Sequence, residues 1–286
     1  MQTGVLYVVA TPIGNLDDMT PRAVQTLSSV DQIAAEDTRH SRALLQHFGI
    51  RTPLVSLHEH NERTQAPKLI ERMRQGASIA LITDAGTPLI SDPGYHLVSS
   101  TRRHGIRVIP VPGASALLCA LSAGGLPTDR FAFEGFLPSR AAARRTRLRE
   151  LSGEHRTLVF FEASHRIVES LSDMALCFGG TRRAVLAREL TKAFETVHDG
   201  PLEEIGGWVQ SDPNQQRGEF VILVQGARVA DPCADAEIER VLRILLADLP
   251  VRQAAGLAAE ILNLKKNDLY RRALALQHLD SERRRS

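Results

Sequence analysis

The residues best suited to chemistry in this chain sit in short loops rich in proline, glycine and small polar side chains. They are Ala10-Thr11-Pro12-Ile13-Gly14-Asn15-Leu16, then Thr83-Asp84-Ala85-Gly86-Thr87-Pro88 with Ser91-Asp92-Pro93-Gly94 close behind, and Pro112-Gly113-Ala114-Ser115-Ala116. A further stretch, Ala35-Glu36-Asp37-Thr38-Arg39, sets an acidic pair beside an arginine. Proline fixes φ and glycine lets a ligand approach the main chain closely. Together they build rigid walls with exposed amide groups, suited to a cofactor's carboxylate and ribose. Any one such loop reads equally well as an ordinary turn. Three in one half of the chain, each directly after an apolar run, point to a binding site.

What is missing narrows the ligand. No GxGxxG follows the first apolar run and no GxxxxGK[ST] occurs, so the common Gly-rich cofactor loops and a Walker-type phosphate loop are not supported. His58-Glu59-His60 could set two imidazoles on one side of a strand but reads as a loop edge. The stretch 15–20 holds Asp17-Asp18 without a spaced ligand set. No metal is expected.

Loops of this kind need strands to hold them. Apolar or β-rich runs occur at Val5–Ala10, Gln32–Ala35, Leu54–Leu57, Ser78–Thr83, Val108–Val111, Phe131–Phe136, Thr157–Phe161, Ala184–Arg188 and Glu219–Gln225. Several are apolar throughout, as strands covered on both faces should be. Amphipathic helical stretches separate them. Thr20-Pro21 gives a helix cap followed by proline at the first helical position, and Gly49, Gly76 and Gly105 stand where helices end. The alternation predicts an α/β fold, with the loops at the C-terminal ends of first-half strands, where open α/β sheets place their ligands.

A break near Val111-Pro112-Gly113 starts a second βα set, which runs to about Gln225, and Gly226–Pro232 reads as a linker. Beyond it Ile238, Val241, Leu242, Leu245 and Leu246 recur at helical spacing. The expected organisation is two α/β subdomains, 1–113 and 114–228, with a small helical domain over 229–286.

Hydrophobic residues make up 43% of the 286 and charged residues 24%, a globular balance that excludes a disordered or fibrous chain. No apolar run approaches the ~20 residues needed to cross a bilayer, and no basic segment precedes an apolar one at the N-terminus. The three cysteines, Cys119, Cys177 and Cys233, are scattered without CxxC spacing, which fits a reducing compartment. These features predict a cytoplasmic protein with no membrane partner.

Net charge is only +2, so nucleic-acid binding must be argued from local clusters. Arg140, Arg144, Arg145, Arg147 and Arg149 form a dense run after Gly135-Phe136-Leu137-Pro138. Near the C-terminus, Val251–Leu262, a turn over 263–267 and Asp268–Leu276 have the form of a helix-turn-helix, with Lys265, Lys266, Arg271 and Arg272 around its second helix. Both clusters suit phosphate contacts. They also suit a solvated helix face and a packing hairpin, respectively.

The ordered set Thr11-Pro-Ile-Gly-Asn-Leu, Glu36-Asp-Thr-Arg, Asp84-Ala-Gly-Thr-Pro with Ser91-Asp-Pro-Gly, Pro112-Gly-Ala-Ser-Ala, Gly135-Phe-Leu-Pro, Phe161-Glu-Ala-Ser-His-Arg and Arg188-Glu-Leu-Thr-Lys resembles the tetrapyrrole methylase-like superfamily. Within it, the set resembles the branch of small-subunit ribosomal RNA methyltransferases. The match runs from about residue 5 to residue 225, and the helical tail is similar too. Ala163 stands where that pattern has proline. The resemblance implies two α/β subdomains with S-adenosylmethionine in the cleft between them, and a homodimer. It also implies methylation of a cytidine ribose 2′-hydroxyl in the decoding region of small-subunit rRNA, as naked rRNA or in the assembled 30S subunit. By motif, Pro12 lines the cofactor site. The backbone around Asp84, Gly86 and Leu89, with Ser115 and Ala116, holds the methionine end and the ribose. Phe161, Glu162 and Leu190 flank the adenine.

That reaction needs a proton acceptor, because a neutral alcohol is a poor nucleophile. Glu36 or Asp37 is expected to supply it, with Arg39 holding an RNA phosphate or the carboxylate pair. Asp37 equally suits a helix cap ahead of Ser41–Phe48. Lys192 either lowers the hydroxyl's pKa or contacts phosphate, or it belongs to an exposed charge pattern with Glu189 and Glu195. Two other readings stay open. A tetrapyrrole C-methylase leaves the arginine run and the tail without a role. A non-catalytic rRNA-binding assembly factor leaves the intact loops without one.

Overall fold

The computed structural model describes residues 4–227, 232–262 and 264–283, which fall into two compact units divided after Ala227. Residues 228–231 of the expected linker and Asn263 of the expected turn lie outside the described residues, as does the side chain of Cys233.

The first unit opens with a five-stranded sheet of β1 (Val5–Val9), β2 (Gln32–Ala35), β3 (Leu54–Ser56), β4 (Ser78–Ile82) and β5 (Arg107–Val111), in the order β3-β2-β4-β1-β5. Every pairing in it is parallel. Parallel neighbours need crossovers, and α1 (Pro21–Ser29), α2 (Thr38–His47), α3 (Glu62–Arg74) and α4 (Tyr95–Arg103) supply them. Thr20 caps α1 as its sequence suggests, its hydroxyl accepting the Ala23 N–H at 3.2 Å. Gly49, Gly76 and Gly105 have positive φ just past the ends of α2, α3 and α4.

Both faces of this sheet are covered. Val9, Ile33, Ala80 and Ile82 pack with Ala23 and Leu27 of α1 and Leu45 of α2. Leu6, Ala34, Ile79 and Leu81 pack with Leu69 and Met73 of α3 and Leu97 of α4. This two-sided burial explains why the strands read as continuous apolar runs. The chain leaves β1 toward β2 on one side and leaves its neighbour β4 toward β5 on the other. The gap between β1 and β4 is therefore a switch point, and the loops following them flank a natural crevice.

A second sheet follows, of β6 (Phe131–Phe136), β7 (Thr157–Ala163), β8 (Arg183–Arg188), β9 (Thr196–Pro201) and β10 (Glu219–Val224), in the order β6-β7-β10-β8-β9. It is mixed: β6 and β7 run parallel, while β10 is antiparallel to both β7 and β8, and β8 to β9. Its core strands split their side chains between two clusters with period two. Leu158, Phe160, Leu186, Ile222 and Val224 face α6 (Ala141–Glu150), α7 (Ile167–Phe178) and α8 (Leu202–Ser211). Val159, Val185, Ala187, Val221 and Leu223 face α5 (Ala116–Ala123) and Ile13.

β9 is absent from the sequence expectation. Thr196-Val-His-Asp-Gly-Pro has no apolar run, and as the edge strand it pairs on one side only. Edge strands tolerate polar residues, glycine and a terminal proline that a central strand would reject.

The second unit contains α9 (Pro232–Asp248), α10 (Val251–Leu262) and α11 (Lys266–Arg283) around its own small core of Leu242, Ala255, Ala258, Leu269 and Ala273. Alanine at three of these positions lets the helix backbones approach closely.

One expected RNA contact is corrected. Arg144 lies in the core between α6 and α7, only 1% exposed. Its Nε donates to Asp173 at 2.7 Å and another guanidinium nitrogen to Glu169 at 3.2 Å, with a further hydrogen bond to the Ser139 carbonyl. A buried guanidinium requires such partners, so Arg144 joins two helices and is not free to meet a phosphate.

Candidate active site

The loops after β1 and β4 are tied together by a two-residue bridge. Thr11 and Gly86 exchange backbone hydrogen bonds of 2.9 and 3.1 Å, and the Thr11 hydroxyl donates to the Thr83 carbonyl at 3.2 Å. Gly86 has φ +82°, and a Cβ there would stand 3.1 Å from Ile13 Cγ2. A backbone in the left-handed region against a neighbour this close favours glycine.

These loops border a cavity of about 490 Å³, within the ~300–1,000 Å³ typical of small-molecule sites. Ile13, Glu36, Asp84 and Asp92 line it from the first sheet, Ser115 and Ala116 from the start of α5, and Phe136, Phe161, Leu190 and Val221 from the second. Of the residues expected at a cofactor site, Asp84, Gly86, Ser115, Ala116, Phe161, Glu162 and Leu190 are brought together here. Pro12 and Leu89 are not in the lining, and Ile13 and Ile90 stand there instead. The Glu162 carboxylate is fully engaged. It accepts from the Arg166 guanidinium at 2.6 and 2.9 Å, from Ser170 Oγ at 2.5 Å and from the Ala163 N–H at 2.8 Å.

The acidic groups differ in what they are free to do. Asp37 caps α2, accepting the Arg39 N–H at 2.8 Å, and its carboxylate also pairs with the Arg39 guanidinium at 3.0 and 3.2 Å. The Arg39 hydrogen bonds hold its pKa down at about 2, so Asp37 has the capping role that its sequence position also suited. Glu36 accepts the Thr83 hydroxyl at 2.8 Å. Asp84 accepts the Asp37 N–H at 3.1 Å. Asp92 behaves differently. Burial, reinforced by the charges of Glu36 and Asp84 and opposed by the neighbouring Thr83 hydroxyl, pushes its pKa up to about 6. Among the described residues, no three His, Cys, Asp or Glu side chains are grouped to hold a metal ion.

Lys192 is held by its neighbours. Its Nζ donates to Glu189 at 2.9 Å and Glu219 at 2.8 Å, and its methylene stem fills the space where a Cβ of Gly14 would stand. Burial disfavours the ammonium, but the hydrogen bonds to Glu219 and Glu189 outweigh it and keep the pKa above the usual lysine value. Lys192 therefore remains charged, joins Glu189 to Glu219, and packs its stem against Gly14 of the Thr11–Leu16 loop.

Arg140 is exposed at the start of α6. Arg145 lies 3.5 Å from Asp173 while staying partly open, and Arg147 pairs with Glu134 at 2.7 Å and Glu150 at 2.9 Å. In the second unit Lys265, Lys266, Arg271 and Arg272 are all exposed, with Arg271 paired to Asp268.

Asp92 and Ile13 stand in loops that the sequence marks, but neither they nor Phe136 were expected individually as site residues. For Asp92 the signal was present in Ser91-Asp-Pro-Gly, an acidic residue in a turn soon after a second acidic loop. For Ile13 and Phe136, aliphatic and aromatic side chains like any in the core, no local signal exists.

The family model of tetrapyrrole (corrin/porphyrin) methylases matches residues 5–206, and that of the RsmI C-terminal HTH domain matches residues 234–277. Ribosomal RNA small subunit methyltransferase I of Pseudomonas aeruginosa is 60% identical over 279 residues, covering 97% of this chain and 99% of that protein. The protein of that name from Escherichia coli O157:H7 is 52% identical over 274 residues, covering 96% of each. Among solved structures, diphthine synthase superposes with a TM-score of 0.57 at 16% identity, covering 78% of this chain and 89% of its own. The methyltransferase CobJ does so with a TM-score of 0.57 at 18% identity, covering 80% and 98%. At such identities these two neighbours speak to the fold alone.

Proposed function

This chain belongs to the tetrapyrrole methylase family, and we propose that it transfers a methyl group from S-adenosylmethionine to the ribose 2′-hydroxyl of a cytidine in the decoding region of small-subunit rRNA. The observation that carries this reading is a cofactor-sized cavity at the strand ends, in a chain that follows the rRNA small subunit methyltransferase I relatives over nearly its whole length. The C-terminal helices are included in that likeness. It favours an RNA substrate over a tetrapyrrole, and it favours an enzyme over a bare assembly factor.

The lining fits the cofactor. Glu36, Asp84 and Asp92 place negative charge where a sulfonium and an ammonium are to be held, and Phe136, Phe161 and Leu190 offer apolar surface for an adenine. Gly86 leaves its stretch of backbone open beside Ile13. When bound, S-adenosylmethionine supplies a methyl group already activated on a positively charged sulfur. The protein's own work is to hold the ribose hydroxyl in line with it, to exclude water, and to take the hydroxyl proton. Glu36 and Asp84 are fixed by donors of the first sheet and suit the binding part of that work.

RNA contact is assigned to Arg140, Arg145 and Arg147 on α6 and to Lys265, Lys266, Arg271 and Arg272 in the tail. The working organisation is two methylase subdomains, 1–113 and 114–228, a tail domain over 229–286, and a homodimer acting in the cytoplasm. Among the described residues no helix is long and apolar enough to cross a membrane. The test is methyl transfer from labelled cofactor to naked rRNA and to assembled small subunits, followed by nucleoside mapping. Label in a ribose-methylated cytidine is the expected result. Label only in a tetrapyrrole, or in neither RNA, overturns the reading.

A further inference from the structure

We propose that Asp92 is the catalytic residue that removes the proton from the substrate's ribose hydroxyl. This rests on the methyl-transfer reading above and names the group that reading leaves unassigned.

The first support is position. Asp92 lines the cavity from the turn between β4 and α4, beside Glu36 from the end of β2 and Asp84 from the loop after β4. The second is the way that turn is built. Leu89 and Ser91, neither of them glycine, have φ of +74° and +67°, a strained conformation that persists only where surroundings enforce it. The enforcement is visible. A Cβ at Gly94 would clash with Leu81 of β4, and one at Gly135 of β6 would stand 3.0 Å from Ser91 Oγ. Both sheets therefore press on this turn and hold Asp92 against the cavity.

The third support is that Glu36 and Asp84 each accept a hydrogen bond from the first-sheet loops that fix them, and that the remaining candidates are more fully engaged. Asp37 is tied to Arg39, Glu162 is saturated by Arg166, Ser170 and a backbone N–H, and Lys192 is protonated between two carboxylates. The charged groups acting on Asp92 are Glu36 and Asp84, both negative, and the neighbouring Thr83 hydroxyl opposes them only in part. Its pKa of about 6 suits a general base at neutral pH: ionised and ready, yet a far better proton acceptor than an ordinary surface carboxylate.

The step balances without a further reactant. The hydroxyl O–H bond breaks, its proton joins a carboxylate oxygen of Asp92, and the bonding pair stays on the ribose oxygen to form the new bond to carbon. The pair of the broken carbon–sulfur bond stays on sulfur, leaving a thioether.

The test uses the full chain with S-adenosylmethionine and small-subunit rRNA. Asp92→Asn is expected to lower single-turnover methylation at saturating cofactor by about 100-fold or more, a loss far larger than any weakening of cofactor affinity read by calorimetry, while filter binding shows RNA still bound. The wild-type single-turnover rate should fall in acid with an inflection at or below about pH 6, since the bound cofactor's positive charge favours the ionised carboxylate, and stay level above it. Glu36→Gln should move that inflection to lower pH, because it removes a negative charge beside Asp92. In the ligand-free protein, carbon NMR of labelled aspartates should show a carboxyl titrating near pH 6 that disappears in Asp92→Asn. Normal methylation by Asp92→Asn, a profile flat through this region, or a titrating signal that survives the substitution each overturns the proposal. If the variant does not fold, the wild-type profile and spectrum decide it alone. Failure of the rRNA reading looks different: the wild-type protein itself then transfers no methyl to RNA.

Discussion

Thr11 and Gly86, 75 residues apart, exchange both of their backbone hydrogen bonds across the gap between β1 and β4. This one pairing joins two turns into a single hydrogen-bonded wall on the cavity's first-sheet side.

Gly86→Ala should loosen that wall. A non-glycine residue at φ +82° carries about 1–2 kcal/mol of strain, and its Cβ presses on Ile13. The expected result is cofactor binding weakened roughly tenfold by calorimetry, with the circular dichroism spectrum unchanged.

Arg144 and Arg145 are adjacent and should respond oppositely. Arg144→Ala removes the closer arginine partner of the buried Asp173 carboxylate in the α6–α7 interface, leaving only Arg145 at 3.5 Å, and should cost about 3 kcal/mol of stability, read by denaturant unfolding. Arg145→Ala should unfold at nearly the same denaturant concentration and weaken RNA binding instead. Equal destabilisation by both would contradict the division of roles drawn from their burial.

The role of the basic residues in holding phosphates is read best through salt. Replacing Lys265, Lys266 or Arg140 by glutamine should flatten the dependence of log affinity on log salt by roughly 0.7–0.9 for each phosphate no longer neutralised. Cofactor binding should not change. A slope untouched by all three would remove both the α6 run and the tail from the RNA interface.

Asp92 also predicts a trade between stability and activity. Its folded pKa lies above the ordinary aspartate value, so the native state is penalised for ionising it. That penalty is complete above about pH 6 and vanishes as pH falls to the usual carboxylate range near 3.8. Asp92→Asn should therefore raise the melting temperature at neutral pH, with the gain disappearing in acid. A gain independent of pH would point to packing rather than charge.

Much of the fold is legible in the chain's local patterns. Nine of the ten strands among the described residues, the Thr20 cap and the loops carrying Asp84, Gly86, Ser115 and Ala116 follow from simple rules: apolar runs for buried strands, proline and glycine for tight turns. What escapes those rules depends on neighbours distant in sequence. β9 is a strand because β8 offers it an edge, not because of its own residues. Arg144 resembles its exposed neighbours in sequence, and only the approach of Asp173 from α7 shows it to be internal. The contrast between Asp37 and Asp92 is of the same kind, since one meets a guanidinium and the other meets two carboxylates. Residue type suggests an acid at either place but does not rank their basicities.

Ile13 belongs to the Thr11–Leu16 loop of the first sheet, yet it is buried in the cluster of Val159, Val185, Val221 and Leu223 on the second. The loop that borders the cavity is thus also a structural plug between the sheets, and neither sheet can melt without exposing part of the other's interior. Residues 4–227 should for that reason unfold in one cooperative calorimetric transition. A ligand seated beside Ile13 would raise the midpoint of that whole transition, making thermal shift a direct gauge of occupancy.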